Sequence, residues 1–231
     1  MIGILGGMGT QAGLDFCNKL AKFYRGKLDQ DYPMFVLFNK SNTPRRPENL
    51  KKYNKILKEL VFGCKMLENN KCKFIVMPCN TAHYWHKDIQ KKIKVPLLSM
   101  PKEVYLYADK TCKKNSKIGI LCTEATLKTK IYNNYFDKKF NLISPNTSMQ
   151  KNSVNKAINL VKMGKVKEAE KTLKPAVNYL IKQKCKKIIL GCTELPIAIF
   201  AYKSFRKAKE SKIFIDPNLL LAEICMKKYK R

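Results

Sequence analysis

The 231-residue sequence lacks any run of about 18 uncharged apolar residues, which is the length that a membrane-spanning helix requires. Met1 leads directly into an apolar segment and a glycine loop, without the basic and hydrophobic regions of a signal peptide. These two absences predict a cytoplasmic protein with no membrane partner. With 45% hydrophobic residues, the chain is long enough for one large α/β domain or two small packed lobes.

Paired-cysteine and metal-binding patterns are also missing. The chain has nine cysteines, an odd number that cannot pair completely, and none of them stands in a Cys-x-x-Cys spacing. We therefore expect reduced thiols, most of them small buried hydrophobic side chains. His83 and His86 lie one helical turn apart, but no carboxylate or third histidine accompanies them. We expect local packing there rather than a metal site.

Acidic residues are few: 17 Asp and Glu face 47 Lys and Arg, a formal net charge of +30. This charge raises the alternative of a basic nucleic-acid-binding protein. The lysines, however, are spread over every predicted helix and turn, which is typical of a general lysine enrichment rather than of a binding stripe. Arginine, the better bidentate reader of phosphates and bases, occurs only at positions 25, 45, 46, 206 and 231. We expect weak, salt-sensitive adsorption to polyanions and no specific nucleic-acid partner.

Short apolar, β-branched segments alternate with longer segments of helical periodicity, which predicts parallel sheets covered by helices. The predicted strands are Ile2–Leu5, Phe35–Asn39, Phe74–Met77, Leu97–Ser99, Ile118–Leu121, Leu142–Ser144, Ile188–Leu190 and Phe214–Ile215. The predicted helices are Gln11–Arg25, Pro47–Asn69, Thr81–Ile93, Pro101–Lys113, Glu124–Tyr135, Ser153–Met163, Lys167–Gln183, Leu195–Lys209 and Leu219–Lys228. Pro175 is expected to end or kink the helix that contains it.

An internal repeat divides the chain. Ile2–Leu5 recurs as Ile118–Leu121, and Lys71–Cys79 recurs as Lys184–Cys192 at nearly the same offset. Two strand-plus-loop units in the same order predict two pseudo-symmetric three-layer α/β/α lobes with mainly parallel sheets.

The predicted N-terminal lobe comprises residues 1–100 and 210–231 and carries Cys79, and the C-terminal lobe comprises residues 101–209 and carries Cys192. Each cysteine follows the carboxyl end of a strand, where ligands bind in parallel sheets, so we expect the active site in the cleft between the lobes. Each also precedes a helix, whose N-terminus is expected to lower the thiol pKa.

Two matched thiols can remove a proton from one face of a carbon and deliver a proton to the other face. Polar residues follow both cysteines, namely Asn80 and Thr81 in one motif and Thr193 and Glu194 in the other, as suits helix caps and an open site. The other cysteines are expected to pack: they are Cys17, Cys64, Cys72, Cys112, Cys185 and Cys225. Cys122 ends a predicted strand on the cleft side and is a bystander or an oxidation liability.

Four segments carry a family resemblance: Ile2–Gly9 (IGILGGMG), Met77–His83 (MPCNTAH), Gly191–Leu195 (GCTEL) and Asp216-Pro217. In these motifs the sequence resembles the aspartate/glutamate (Asp/Glu/hydantoin) racemase superfamily, and within it the pyridoxal-phosphate-independent aspartate racemases. The resemblance implies interconversion of L- and D-aspartate, or of the glutamate enantiomers, without any cofactor. It also implies a small-molecule amino-acid substrate and a homodimer.

The resemblance assigns roles to individual residues. Cys79 and Cys192 correspond to the two catalytic cysteines, and Arg46 and Lys162 correspond to the cations that would hold the distal carboxylate of the substrate. The backbone donors and polar side chains expected around the rest of the substrate are Gly7, Met8, Asn80, Thr81, Thr123, Thr193 and Glu194.

Several alternatives stay open. Within the superfamily they are a broad-specificity amino-acid racemase, a maleate isomerase-like enzyme and, further off, an arylmalonate-type decarboxylase. The pattern Gly7-x-Gly9-x-x-x-Gly13 after a strand also imitates a dinucleotide-binding loop. Asn39-Lys40 follows the next strand where an acidic residue is usual, and a lysine there could accept a 2′-phosphate. An NADP-dependent oxidoreductase is therefore a remote alternative, but it leaves both cysteine motifs unexplained.

Overall fold

The structure is a computed structural model that describes residues 1–23, 27–46, 48–201, 205–210 and 212–229. The chain forms two compact units, one of Met1–Met100 with the C-terminal segment from Asn218 and one of Pro101–Pro217. The return to the first unit thus falls at residue 218 rather than at residue 210. The reason is that Phe214 and Ile215 form a strand that pairs with Ile188 and Ile189 in the sheet of the second unit.

The strands are short and the helices are longer, as in most parallel α/β folds. The strands are β1 (Ile2–Gly6), β2 (Phe35–Asn39), β3 (Phe74–Val76), β4 (Lys117–Cys122), β5 (Asn141–Ile143), β6 (Lys187–Gly191) and β7 (Phe214–Ile215). The helices are α1 (Thr10–Phe23), α2 (Tyr53–Asn69), α3 (His86–Gln90), α4 (Met100–Thr111), α5 (Glu124–Lys128), α6 (Asn133–Phe136), α7 (Thr147–Met149), α8 (Lys156–Lys162), α9 (Val166–Lys182), α10 (Leu195–Ala201), α11 (Arg206–Glu210) and α12 (Pro217–Tyr229). Asp29–Asp31 and Thr81–Trp85 are 3₁₀ turns, and Gln150–Asn155 is a π-helical turn.

The first unit is built on a parallel sheet with the strand order β2-β1-β3. The central strand β1 is buried along its whole length because helices cover both faces of the sheet. Leu5 points to the face covered by α2, where it packs with Leu60, whereas Ile4 points to the opposite face covered by α1 and α12. The first unit is therefore the three-layer arrangement that the alternating pattern predicted.

The second unit contains a parallel sheet with the order β5-β4-β6-β7. Helices α8, α9 and α10 pack on one face, where Leu173 and Val177 of α9 meet Leu190 of β6. Aromatic residues of α4 and α6 pack against each other, with Tyr105 edge-on to Phe136 at a centroid distance of 5.5 Å. Both sheets confirm the prediction of mixed α/β structure with parallel strands.

The repeated Lys-Cys-Lys segment has the same backbone conformation in both units. Lys71 and Lys184 adopt left-handed φ angles of 58° and 60° directly after α2 and α9. The next residue donates its N–H five residues back in each case, from Cys72 to Leu67 O (3.4 Å) and from Cys185 to Leu180 O (3.2 Å). This is the Schellman form of a helix C-terminus. The repeat in the sequence therefore encodes a helix stop followed by a strand.

Some predicted elements are wrong in extent or type. Leu97–Ser99 is not a strand, because Leu97 forms only one isolated bridge with Ile75. The helix predicted over Thr81–Ile93 begins as a 3₁₀ turn and continues only as the short α3. The helix predicted over Glu124–Tyr135 is broken into α5 and α6, because Lys130 adopts a φ of 52°.

Other helices differ at their ends. Helix α2 begins at Tyr53, and the predicted start at Pro47 lies outside the described residues. The predicted end of α1 at Arg25 also lies outside them, as do residues 202–204 of the helix predicted over Leu195–Lys209. Helix α9 continues through Pro175, so of the two expected effects this residue does not end the helix.

Candidate active site

Cys79 lies just beyond the carboxyl end of β3, in the first unit. Its N–H donates to Met77 O at 2.7 Å in a tight turn, and its side chain is only 6% exposed. The turn leads into the 3₁₀ helix Thr81–Trp85, whose residues are largely buried. The thiol is thus held at the edge of the sheet where ligands bind in parallel α/β folds.

Arg46 is buried and lies next to this thiol. Its Nη2 is 4.0 Å from Cys79 Sγ and also donates to Met8 O, and its Nη1 donates to Pro44 O at 3.1 Å. Its Nε is inaccessible to solvent and has no hydrogen-bond partner in the described part of the chain. The guanidinium therefore keeps one unused donor, Nε–H, on the side that it shares with Nη2.

The loop after β1 passes close to the backbone that follows β2. Gly7 has a φ of 83°, and a Cβ atom there would lie 2.2 Å from the carbonyl carbon of Lys40. Met8, the next residue, is buried and gives its carbonyl to Arg46. Glycine is therefore required at position 7 by a close approach of two backbone segments, which explains the motif without a bound dinucleotide.

Lys40, the lysine that could accept a 2′-phosphate, already forms an ion pair with Glu59. Its Nζ donates to Glu59 Oε2 at 2.5 Å and to Asn42 Oδ1 at 2.8 Å, and the side chain is buried. This lysine holds the pKa of the Glu59 carboxyl below its usual range through the hydrogen bond between them. The NADP alternative thereby loses the cation on which it depended.

Asn80 and Thr81, the residues after Cys79, are 2% and 5% exposed. Asn80 makes no side-chain capping hydrogen bond, because its φ and ψ of −56° and −52° are already helical rather than the extended values of a cap. The expectation of a capping side chain is therefore wrong for Asn80. Both residues directly follow Cys79 in the chain, and their role in substrate binding stays a prediction.

In the second unit, Cys192 lies beyond the carboxyl end of β6. Its Sγ donates to Glu194 Oε2 at 2.9 Å, and the side chain is 7% exposed. Burial raises the pKa of the Cys192 thiol well above its ordinary value, and the Glu194 carboxylate raises it further. The expectation of a lowered thiol pKa is therefore wrong for Cys192, because desolvation and a neighbouring anion outweigh the helix N-terminus.

Glu194 also connects to Thr193 and Lys162. Thr193 Oγ1 donates to Glu194 Oε2 at 3.4 Å, and Lys162 Nζ lies 3.8 Å from Glu194 Oε1. Lys162 ends α8 and its side chain is 39% exposed, whereas that of Glu194 is 5% exposed. The structure thus brings Cys192, Thr193, Glu194 and Lys162 together around one buried carboxylate.

Thr123 begins α5 directly after the carboxyl end of β4. Its Oγ1 accepts from Thr126 N at 3.2 Å, so this side chain caps the helix. Cys122 before it is fully buried, and burial raises the pKa of its thiol, as expected for an unreactive packing residue. In strand register Cys122 lies opposite Gly191, the residue before Cys192.

Two further residues, Gln150 and His83, bond to the backbone near these strand ends, and no sequence pattern predicts these bonds. Gln150 begins the π-helical turn, and its Nε2 donates to Cys122 O at 2.8 Å and to Asn155 Oδ1 at 2.9 Å. His83 accepts from Met100 N and contacts Cys79 O. His83 is the last residue of the motif Met77–His83, but the sequence does not indicate that its ring contacts Cys79 O and Met100 N.

The two histidines do not form a metal pair. Both ring nitrogens of His83 bond to the protein backbone, and its ring stacks on that of His86 with centroids 5.9 Å apart. Among the residues that the structure describes, no three His, Cys, Asp or Glu side chains are grouped as a metal would need. None of the helices in the described part of the chain combines the length and apolar character needed to cross a bilayer.

The chain is similar in sequence and in fold to proteins described as amino-acid racemases. Residues 5–225 match the family model described as Asp/Glu/Hydantoin racemase. The broad specificity amino-acid racemase RacX of Bacillus subtilis (strain 168) is 29% identical over 199 residues, which are 84% of this chain and 86% of RacX. The structure of Picrophilus torridus aspartate racemase has a TM-score of 0.81 and 29% identity, covering 99% of this chain and 97% of that one. Thermus thermophilus glutamate racemase resembles the chain in fold alone, with a TM-score of 0.68, 18% identity, and coverage of 99% and 80%.

Proposed function

The chain belongs to the Asp/Glu/hydantoin racemase family and is an isomerase of the amino-acid racemase type, and from this premise we propose that it interconverts the L- and D-forms of aspartate or glutamate without a cofactor. One observation carries the proposal. Each unit places one buried thiol, Cys79 or Cys192, just beyond the carboxyl end of a parallel strand, and each thiol has a charged side chain beside it.

The proposed chemistry uses both thiols on one substrate molecule. One cysteine acts as thiolate and removes the α-proton, and the electron pair that is left behind is delocalised into the substrate's α-carboxyl group. The other cysteine, as thiol, gives its proton to the opposite face of the α-carbon, which inverts the centre. The first cysteine is then the thiol and the second is the thiolate, so the enzyme is ready for the reverse reaction.

The surroundings of the thiols suggest their resting states. Arg46, a buried cation, lies 4.0 Å from Cys79 Sγ, whereas Glu194, a buried carboxylate, accepts a hydrogen bond from Cys192 Sγ at 2.9 Å. A cation favours a neighbouring negative charge and a carboxylate disfavours one. We therefore assign the proton-donating thiol of the resting enzyme to Cys192, whose carboxylate neighbour disfavours the thiolate.

The choice of a dicarboxylate substrate rests on Arg46 and Lys162. Arg46 is suited to a carboxylate, since a buried guanidinium is stabilised by an anionic partner and its Nε–H is not engaged. Lys162 is half-exposed beside Glu194 and is the second candidate cation. Glu194 fits better as the partner of Cys192 than as a substrate ligand, because both of its carboxylate oxygens already face Cys192, Thr193 and Lys162.

The polar residues around the thiols complete the proposed site. Gly7, Met8, Asn80 and Thr81 are assigned to substrate binding near Cys79, and Thr123 and Thr193 are assigned to it near Cys192. This assignment rests on their places at the strand ends of each unit and on the family motifs.

A broad-specificity amino-acid racemase is the second candidate, because RacX is 29% identical across most of both chains. The two candidates differ in what the enzyme accepts. A dicarboxylate-specific enzyme discriminates against alanine and lysine, which lack an anionic side chain for Arg46, whereas a broad-specificity enzyme processes them at comparable rates.

Incubation in D₂O tests the proposal. The purified protein, without added cofactor, is expected to exchange the α-hydrogen of L- and D-aspartate or glutamate for deuterium, as read by NMR, and to lose optical rotation in step. Cys79→Ser and Cys192→Ser are each expected to abolish racemisation, because a hydroxyl is a far weaker acid than a thiol. Cys112→Ser, at a half-buried cysteine after α4, is the matched control and is expected to retain full activity.

Two different results would contradict two different parts of the proposal. Absence of exchange with every amino acid of a 20-member panel contradicts racemase function, and a single-cysteine variant that racemises normally contradicts the two-thiol mechanism. We further propose that the active species is a homodimer, on the basis of the family resemblance.

A further inference from the structure

His83 makes two hydrogen bonds to the backbone. Its Nδ1 lies 2.9 Å from Cys79 O, and its Nε2 accepts the N–H of Met100 at 3.1 Å. An amide nitrogen only donates, so Nε2 must be the unprotonated nitrogen and the ring hydrogen must be on Nδ1. His83 Nδ1–H therefore donates to the carbonyl of Cys79, and the tautomer is determined by the Met100 N–H.

The histidine is held in its neutral form. Burial, together with the smaller effect of the neighbouring His86, lowers the pKa of His83 from 6.5 to about 4. A protonated ring would present a second N–H to Met100 N–H, which is also a donor, so protonation would break that bond. The side chain is 6% exposed and stacks on His86, and both of its nitrogens are engaged. It is consequently unable to serve as an acid, a base or a substrate ligand without giving up one of these bonds.

The two bonds hold the main chain at Cys79. The Cys79 N–H is already bonded to Met77 O, and the His83 bond secures the carbonyl on the other side of the same residue. Met100 is the first residue of α4, where an N–H has no partner within the helix, so His83 also satisfies a helix N-terminus. One side chain thus joins the thiol-bearing turn to Met100, the last residue of the same unit before Pro101.

We propose that His83 is a positioning residue for Cys79, in that its Nδ1–H fixes the Cys79 carbonyl and thereby the direction of the thiol toward the substrate α-carbon. This inference rests on the proposed function, because it assigns a task in the same reaction. A displacement of about 1 Å in a catalytic group costs roughly 100-fold in rate, so a turn held at both ends matters for proton transfer.

Three variants test the proposal. His83→Leu removes both bonds, whereas His83→Asn places an amide N–H near the position of Nδ1 and keeps the donor to Cys79 O while losing the acceptor for Met100. His86→Asn is the matched control, because His86 stacks on the same ring and bonds through Nε2 to Leu97 O.

In racemisation assays, His83→Leu is expected to lower kcat by about tenfold or more with KM changed by less than about twofold, because the positioned thiol acts in the chemical step. His83→Asn is expected to recover most of kcat, and His86→Asn to retain it. Wild-type kcat in His83→Leu, or equal losses in His83→Leu and His83→Asn, would overturn the proposal.

A second measurement is independent of racemase activity. The rate of alkylation of each cysteine by iodoacetamide is followed by mass spectrometry of the resulting peptides. Cys72 lies just before the amino end of β3, in the same unit, and is 2% exposed. Release of the Cys79 carbonyl in His83→Leu is expected to speed alkylation of Cys79 while that of Cys72 stays at the wild-type rate. Equal acceleration at both cysteines indicates general loosening of the unit and contradicts a positioning role.

The two measurements also separate this inference from the proposed function. If the wild-type protein fails to exchange deuterium with any amino acid, the proposed function is wrong. The alkylation rates of Cys79 and Cys72 still report in that case whether His83 holds the turn.

Discussion

At the scale of single residues, the two cysteine motifs look equivalent in sequence but differ in their surroundings. Cys79 has the guanidinium of Arg46 beside it, and Cys192 has the carboxylate of Glu194. The difference arises because Arg46 comes from the segment after β2, far from the motif, whereas Glu194 is two residues after Cys192. Repeated motifs therefore specify where the thiols lie in each unit, whereas the charged neighbour of each thiol differs.

The charge of Glu194 can be tested through the pH dependence of Cys192. Burial is the largest cause of the raised pKa of this thiol and the Glu194 carboxylate is the next, so Glu194→Gln is expected to lower the pKa. Alkylation requires the thiolate, and its midpoint for Cys192 is therefore expected to move to lower pH. The measurement is the rate of iodoacetamide labelling of the Cys192 peptide across a pH series.

Glu124→Gln is the control for this experiment, since Glu124 is an exposed carboxylate of the same unit that pairs with Lys128 at 3.1 Å. It is expected to leave the Cys192 midpoint unchanged. A Cys192 midpoint that stays in place or rises in Glu194→Gln would show that the carboxylate does not govern this thiol.

At the scale of elements, two glycine turns have the same kind of backbone but different surroundings. Gly7 has a φ of 83° and its missing Cβ would collide with the backbone of Lys40. Gly164, in the turn between α8 and α9, has a φ of 78° and open space around it. Only the first glycine is required for both conformation and close approach, and it is the one beside the candidate site.

Substituting alanine for Gly7 and for Gly164 distinguishes the cost of the left-handed φ from the cost of the close backbone approach. Gly164→Ala is expected to lower the free energy of unfolding by about 1 kcal/mol, the cost of a left-handed φ for a residue with a Cβ. Gly7→Ala is expected to lower it by about 1–3 kcal/mol more, because backbone atoms must also move apart. Chemical denaturation of both variants measures the difference, and equal losses would contradict the close approach at Gly7.

The elements also show where sequence patterns fail. The strands β2 and β7 have their predicted bounds, because β-branched and aromatic segments between turns leave few alternatives. The π-helical turn Gln150–Asn155 has no signature in the sequence, since helical periodicity does not distinguish one extra residue per turn. That extra residue brings Gln150 and Asn155, five positions apart, into a hydrogen bond at 2.9 Å.

At the scale of the whole molecule, a net charge of +30 opposes association between copies of the chain. The proposed homodimer must form against this repulsion, so its stability is expected to rise with ionic strength as the charges are screened. Large apolar side chains remain exposed in the first unit, among them Met34 at 65% and Phe62 at 52%, and these are the kind of surface that association buries.

Sedimentation equilibrium tests this expectation. The protein is expected to sediment at twice the mass of the 231-residue chain at about 0.3 M salt and to dissociate partly at about 0.01 M salt, where the screening length is roughly 30 Å. A monomer at both salt concentrations, at the concentration used for racemisation assays, would contradict the dimer.

The sequence by itself determined the two parallel sheets, the repeat and the position of both thiols after strand ends. These features are local, because strand periodicity, helix stops and turn residues act over a few neighbouring positions. The Lys-Cys-Lys segments show this directly, since each one is a helix C-terminus in the structure.

Only the tertiary structure decided which groups surround those thiols. Arg46 reaches Cys79 across 33 positions of the chain, and Met100 reaches His83 across 17, through packing that no local pattern encodes. Burial likewise decided the protonation of Cys192, because desolvation depends on every side chain that excludes water from the thiol. The positions of the two thiols could be predicted from motifs, but their charged neighbours and the tautomer of His83 depend on residues that meet only when the chain is folded.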